Sequence, residues 1–273
     1  MYSMDLSEIL VLGIVQGITE WIPVSSKTQV TFVYLKLFHG DPALVIPILL
    51  SVHLGTVIAA CLYFRSEIHI IARELITDPL DIQRHANGRI GFLFVALLCT
   101  GIVGIPLLVA EKNLFSALDA GLLYAIMGTG LIVTGLLLLT HKRSNVRKTA
   151  SVSWKDGIAT GILQGLSVLP GVSRSGTSTT GLLWRGFDSE SSFYLSFLLS
   201  IPTVVLAEIV LSYGGTGLSS LPAFDGALLL ATSLIVGYLT IDGLLKVIQR
   251  VNVAYVVLIL GALIMAVGLS GLG

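Results

Sequence analysis

Long, nearly unbroken apolar runs dominate the chain, and polar positions gather in the short breaks between them. Six runs, 43–64, 90–110, 120–140, 191–213, 226–245 and 251–272, reach the roughly 17–25 residues a helix needs to cross a hydrocarbon core about 30 Å thick. A helix satisfies its own backbone hydrogen bonds in lipid, so the pattern predicts an all-α integral membrane protein with six transmembrane helices. Two further segments, about 5–38 and 154–188, are apolar only in part and are broken by Gly, Pro and Ser.

The two broken segments resemble each other. Gly13-Ile14-Val15-Gln16-Gly17-Ile18 aligns with Gly161-Ile162-Leu163-Gln164-Gly165-Leu166, and Val24-Ser25 falls on Val172-Ser173 at the same offset, which predicts an internal duplication. Charge then assigns sides. Loop 65–89 holds Arg65, Arg73, Arg84 and Arg89, and loop 141–156 holds Lys142, Arg143, Arg147, Lys148 and Lys155. Lys246 and Arg250 separate the last two runs. By the positive-inside rule these three are cytoplasmic. The connections 39–42, 111–119 and 214–225 carry among them one basic residue, Lys112, so they and both termini are expected outside. The first copy therefore begins and ends outside and the second begins and ends in the cytoplasm, which makes the repeats inverted. Irregular backbone at membrane depth survives only where protein or a watery cavity covers it, so both segments are expected as re-entrant helical hairpins meeting near the midplane. The expected organisation is one membrane domain with inverted repeats of approximately 1–140 and 141–273. The plainer reading makes each segment an amphipathic surface helix plus loop. Glu20, Lys27 and Arg174 weigh against it, because ionisable groups beside apolar turns are costly and usually functional.

Composition agrees with the pattern. At 54% hydrophobic, 12% charged and a mean hydropathy of +0.92, the chain is too apolar for a soluble core. Its formal charge is zero and no basic, aromatic-interleaved face is present, which excludes nucleic acid as a partner. Cys61 and Cys99 both lie in apolar runs and read as packing residues rather than a disulfide or metal pair. Asp5 and Glu8 stand where a cleavable leader would be basic, so the N-terminus is expected in the mature protein.

Chemistry concentrates in the broken segments. The first reads Gln16-Gly17-Ile18-Thr19-Glu20-Trp21-Ile22-Pro23-Val24-Ser25-Ser26, which sets Gln16 and Glu20 one helical turn apart on one face. Pro23 is expected to end the helix near Ile22, leaving Ser25 and Ser26 in a turn whose free N–H groups can meet an anion. The second reads Pro170-Gly171-Val172-Ser173-Arg174-Ser175-Gly176-Thr177-Ser178-Thr179-Thr180-Gly181, an arginine among hydroxyls and glycine before a helix. A guanidinium can grip two phosphate oxygens while hydroxyls, backbone N–H groups and the positive helix end fill the remaining lone pairs.

These segments resemble the signatures of the undecaprenyl-diphosphate phosphatases once described as bacitracin-resistance proteins, (E/Q)xxxE and PGxSRSxxT. Gln16 and Glu20 match the first. Pro170-Gly171-Val172-Ser173-Arg174-Ser175 matches the second, with Ser178 where the family has Thr. The likeness covers the whole chain, including His53-Leu54-Gly55-Thr56 and Tyr63-Phe64-Arg65. It implies a phosphatase that removes the terminal phosphate of a polyprenyl diphosphate carrier at the outer face of the cell membrane. The implied cofactor is a divalent cation such as Mg or Ca. It further implies that Arg174 with Ser173 and Ser178 holds the terminal phosphate, that Ser26 attacks it or orients water, and that Glu20 binds the metal or acts as base. Gln16, Ser25, Lys27, Ser175, Gly176 and Thr177 complete the expected substrate-binding set. The sequence leaves the oligomeric state open, and a homodimer is compatible with it. One departure stands out: the family follows its serine pair with Thr-Gly-His, and here Lys27-Thr28-Gln29 follows. Gln29 cannot shuttle protons as His would.

Several residues carry a second reading. Lys27 fits either a cation beside phosphate or a snorkelling lysine. His53 fits either the missing acid/base or a hydrogen-bonded structural histidine. Glu208 and Asp242 read as structurally paired, Asp242 with Lys246 one turn on, and Trp21, Trp154 and Trp184 as interfacial or lipid-facing anchors. The competing function is a polyprenyl-phosphate flippase, since inverted repeats with broken helices also build alternating-access carriers. A silent lipid-binding protein is a third reading with no feature specific to it.

Overall fold

The computed structural model describes residues 4–78, 81–115, 119–140, 146–213 and 221–271. Apart from one isolated bridge between Arg147 and Phe187, the described secondary structure is helical. The first half contains α1 (Leu6–Thr19), α2 (Ser26–Phe32), α3 (Val45–Tyr63), α4 (Arg65–Thr77), α5 (Ile82–Ala86), α6 (Arg89–Phe115) and α7 (Ala120–Leu139). The second contains α8 (Trp154–Gly165), α9 (Arg174–Trp184), α10 (Ser189–Tyr213), α11 (Ala223–Arg250) and α12 (Val253–Leu269).

Five segments are long and apolar enough to cross a membrane: Pro42–Tyr63, Arg89–Ala110, Ala120–Leu139, Ser189–Val210 and Ala223–Val247. The sixth expected span is shorter than its apolar run, because α12 is a 17-residue helix that begins only after Asn252, whose side chain accepts from Ala254 N–H. At 1.5 Å per residue it measures about 25 Å. It lies along α7, where Gly128 lets the backbones touch: a Cβ there would sit 2.4 Å from Met265 N. Close approach through small residues is the usual way apolar helices gain packing energy without help from water.

Helices α1 and α8 are too short to cross, with 14 and 12 residues. Each leans on a long helix, α1 on α11 and α8 on α6, and each is followed by a turn and a second short helix. The glycine pairs of the repeated sequence make that contact. A Cβ on Gly17 would lie 2.7 Å from Val236 Cβ, and one on Gly161 would lie 2.3 Å from Ala96 O.

Trp21 departs from the expectation of a lipid-facing anchor. It is 1% exposed, packs at 5.4 Å against the Phe197 ring and donates its indole N–H to Gly237 O at 3.1 Å. A glycine on α11 leaves that carbonyl reachable, and the satisfied N–H removes the reason for an indole to sit at an interface. Trp154 and Trp184 are exposed, as expected of anchors. Cys61 and Cys99 are free thiols, Asp242 pairs with Lys246 at 2.6 Å, and Glu208 has no ion-pair partner among the described residues.

The basic loops are partly tied down. Asp156, fully buried at the start of α8, accepts from Arg147 Nη1 and Nη2 (both 2.9 Å) and from Arg185 Nε (2.8 Å), and it caps Ser153 N–H at 3.0 Å. Burial alone pushes this carboxyl up, but the hydrogen bonds from Arg147, Arg185 and Ser153 outweigh it and hold the group below its ordinary range. Arg147, read from sequence as a loop charge, is therefore the clamp that joins the two ends of the α8–α9 unit, its guanidinium also lying over the Phe187 ring. Lys148 pairs with Asp188, and Arg89 with Glu67. Lys142, Arg143, the side chains of Arg84 and Lys112, and most of 214–225 fall outside the described residues.

Candidate active site

The first broken segment delivers a carboxylate. Helix α1 opens on a capping box between Asp5 and Glu8 and ends at Thr19, earlier than the expected Ile22. Glu20 keeps helical torsions and its N–H bonds to Gln16 O at 3.0 Å, after which the chain turns over four residues with Val24 N–H on Ile22 O at 2.8 Å. Pro23 disfavours helical torsions at the preceding Ile22, which favours a helix that stops before it. The turn ends on Ser25 at φ 56°, ψ 84°, a left-handed conformation rare for a residue with a side chain. Such strain costs on the order of 1–3 kcal/mol and is typically found where function needs an unusual chain direction.

That direction aims Ser26, the first residue of α2, back at α1. Ser26 Oγ donates to Glu20 Oε2 at 2.6 Å, and Gln16 Nε2 donates to the same oxygen at 2.9 Å. The expected one-turn pairing of Gln16 and Glu20 is thus a hydrogen bond. From α3, Thr56 Oγ1 lies 3.4 Å from Gln16 Nε2, and His53 Nε2 lies 3.7 Å from Glu20 Oε2. His53 Nδ1 is 2.7 Å from Leu49 O, an acceptor, so Nδ1 carries the proton and Nε2 is the nitrogen turned to the site.

The second broken segment delivers the cation. After α8 the chain passes through a 3-10 turn at Leu166–Val168 and then Gly171, where φ is +83° and a Cβ would meet Met127 O at 2.0 Å. Ser173 caps α9, accepting from Gly176 N–H at 3.3 Å, while its own N–H goes to Thr134 Oγ1 at 3.1 Å. Arg174 then opens the helix. Its Nη2 pairs with Glu20 Oε1, and its Nη1 reaches Ser200 O at 3.5 Å. Two further bonds join the units: Ser175 Oγ donates to Ile22 O at 3.2 Å, and Lys27 Nζ donates to Val168 O at 2.9 Å.

Glu20, Ser26, Gln16, His53 and Arg174 therefore converge, although the chain separates Glu20 from Arg174 by 154 residues. Lys27 joins them as a tie between the units, with its charge kept beside the site. The rest of the expected phosphate set sits differently. Thr177 and Ser178 are fully buried, with their hydroxyls on Ser173 O (3.0 Å) and on Arg174 O (2.8 Å) and Ser196 Oγ (2.6 Å). They brace α9 against its own turn and against α10. Ser25 Oγ is shared with Thr28 at 3.0 Å, and Gly176 packs against Thr134 and Pro23. Gln29 donates to Val24 O at 3.0 Å, so the departing residue holds the strained turn. Thr134, the Ser200 carbonyl and the contact of Thr56 with Gln16 were not foreseen from the sequence. Apolar context gave no sign of them, since a threonine in a spanning helix usually bonds its own backbone.

Residues 9–265 match the family model described as bacitracin resistance protein BacA. A relative from Methanococcoides burtonii, named undecaprenyl-diphosphatase, is 36% identical over 266 residues, covering 95% of this chain and 97% of its own. Relatives of the same name from Haloarcula marismortui and Methanopyrus kandleri are 34% identical over 257 residues and 33% over 272. Those alignments cover 93% and 99% of this chain, and 94% and 98% of the relatives. The match runs through both broken segments and every residue gathered around Glu20, and the chain belongs to the BacA bacitracin-resistance family.

Proposed function

We propose that this protein removes the terminal phosphate of a polyprenyl diphosphate of the undecaprenyl type, returning the carrier lipid to its monophosphate. One observation carries the reading: a serine hydroxyl bonded at 2.6 Å to a buried carboxylate that is itself paired with an arginine. A nucleophile on a base, with a guanidinium alongside, is the minimum that phosphoryl transfer asks of a protein. The full-length relatives bearing the diphosphatase name support the same substrate.

In the proposed reaction Ser26 Oγ attacks the terminal phosphorus and its proton passes to Glu20. The anhydride P–O bond breaks and the prenyl monophosphate leaves. Water then cleaves the phosphoserine, its hydroxyl going to phosphorus and its other proton to Ser26 Oγ, which releases phosphate and leaves the first proton on Glu20. Arg174 keeps Nη2 on Glu20 and turns its second nitrogen to the phosphoryl oxygens, stabilising their developing charge. His53 Nε2, 3.7 Å from Glu20 Oε2, is the imidazole near enough to take the proton onward, in place of the one Gln29 lacks. The site's donor set also suits a hard divalent cation, since Glu20 and the carbonyl of Gln16, which has no hydrogen-bond partner among the described residues, are oxygens of the kind Mg or Ca takes beside substrate phosphates. Bound there, such an ion would neutralise diphosphate charge.

The two broken segments are read as re-entrant hairpins of an inverted repeat, entering from opposite sides with six helices around them and both termini outside. The exchanged contacts support this, with α11 of the second half on α1 and α6 of the first half on α8. Such a pair would place the phosphate site inside a lipid-accessible protein. Ser26→Ala and Glu20→Gln test the chemistry. Both should still bind polyprenyl diphosphate while releasing phosphate about 10²–10⁴-fold more slowly, the usual loss with a nucleophile or base. Near-normal release by Ser26→Ala would remove it as the nucleophile.

A further inference from the structure

We propose that Lys27 holds the prenyl-bearing phosphate of the diphosphate and takes up the charge that the bridging oxygen gains when the anhydride breaks. The proposal rests on the phosphatase reading of the site and adds the residue that serves the second phosphate.

The terminal phosphate leaves the arginine nothing to spare. Arg174 Nη2 is committed to Glu20, and its other nitrogen is the one placed to reach a phosphoryl oxygen. A prenyl diphosphate carries a second phosphate, which becomes the leaving group and gains negative charge as the P–O bond breaks. A cation held there stabilises the transition state more than the bound substrate.

Two observations place Lys27 for this role. It follows Ser26 directly at the start of α2, and its Nζ crosses to the second broken segment, donating to Val168 O at 2.9 Å. Lys27 and Arg174 also both lie within electrostatic reach of the His53 imidazole, so two cations, one from each segment, bear on one site. The Val168 carbonyl is a neutral acceptor, and this contact positions the ammonium without cancelling its charge.

The repeated sequence shows why the second side suits a phosphate. At the offset that pairs Gln16 with Gln164 and Ser25 with Ser173, Glu20 falls on Val168 and Ser26 on Arg174. Each segment thus sends a cation to the same position of the other: Arg174 to the Glu20 carboxylate, Lys27 to the Val168 backbone. The first copy keeps an acid and a hydroxyl there for chemistry. The second has valine and arginine instead, and without an acid at 168 nothing at that position repels a phosphate. An ammonium binds phosphate as a point charge and needs no fork geometry to do so.

The test is binding of radiolabelled farnesyl diphosphate to full-length Ser26→Ala protein in detergent, with and without Lys27→Met, and its displacement by inorganic diphosphate and by orthophosphate. Adding Lys27→Met should weaken both diphosphates at least about tenfold and leave orthophosphate within about twofold, because orthophosphate needs only Arg174. Lys27→Arg should restore diphosphate binding to within about threefold, since it returns the charge. Unchanged diphosphate binding would overturn the proposal. So would an equal loss for diphosphate and orthophosphate, the result expected of a residue that only ties the two segments together. Thermal unfolding is followed for each protein, and Lys27→Gln, neutral but still a hydrogen-bond donor, replaces Lys27→Met if that variant does not fold. With Ser26 intact, Lys27→Met should lower kcat for farnesyl diphosphate about 10²-fold, and a change confined to KM would remove the leaving-group role. Phosphate release by wild type is scored separately: its absence would sink the phosphatase reading, while the binding comparison still decides which phosphate Lys27 holds.

Discussion

Arg174→Lys keeps the charge and removes the fork, and the structure allows its cost to be worked out. The guanidinium is 18% exposed and holds Glu20, which is 5% exposed, while its second nitrogen is free to reach beyond Ser200 O at 3.5 Å. A lysine ammonium is a point charge that can stay with Glu20 or move to phosphate but cannot span both. The loss is one charge-assisted hydrogen bond, about 1.5–3 kcal/mol, increased by the carboxylate left partly uncompensated in a buried site. We expect about 3 kcal/mol in transition-state stabilisation, or roughly two decades in kcat/KM. The assay is free phosphate released from a polyprenyl diphosphate in detergent micelles, with thermal unfolding measured in parallel to establish that the variant folds. Turnover of Arg174→Lys within about threefold of wild type would refute the clamp, because a loss below 1 kcal/mol leaves no room for a two-pronged contact.

Other outcomes follow from the same geometry. Asp156→Asn should destabilise the fold by about 3 kcal/mol in thermal or denaturant unfolding, the low end for breaking a buried ion pair because both arginines are partly in water. Asp156 is held below its ordinary value, so its contribution is complete above the unfolded value of about 4 and is lost as pH falls through the folded one; wild type should lose stability on acidification more steeply than Asp156→Asn. His53→Gln should slow hydrolysis about 10²-fold with little change in lipid binding if the imidazole passes on the proton, and unchanged turnover would return His53 to a structural role.

The chemistry was legible where it depended on local spacing. Gln16 and Glu20 are four apart on a helix, and that interval alone puts them in contact. Arg174 was legible because an arginine among serines and glycines has few other uses in an apolar chain. What escaped was whatever depended on a distant partner. Trp21 looked like an interfacial anchor until Gly237, 216 residues away, supplied an acceptor for its indole. Arg147 looked like a loop charge until Asp156 and Phe187 enclosed it. Ser178 sits in a motif expected to hold phosphate, yet its hydroxyl belongs to Arg174 O and Ser196, a choice made by the packing of α9 on α10. The end of α1 escaped by a few residues: the helix stops at Thr19, before Ile22, and the turn that follows lets Ser26 face the carboxylate.

If Ser26, Glu20 and Arg174 cleave a phosphoanhydride, hydrolysis and lipid movement are separable. Purified wild-type protein in sealed vesicles, given a polyprenyl diphosphate with and without chelator, reports phosphate release and lipid movement between leaflets in one preparation. Phosphate released by wild type should fall about 10²-fold or more in Ser26→Ala, whatever the rate of lipid movement. A wild-type protein that releases no phosphate across a range of divalent ions and pH, yet moves a polyprenyl monophosphate between leaflets, would leave these three residues without a hydrolytic role.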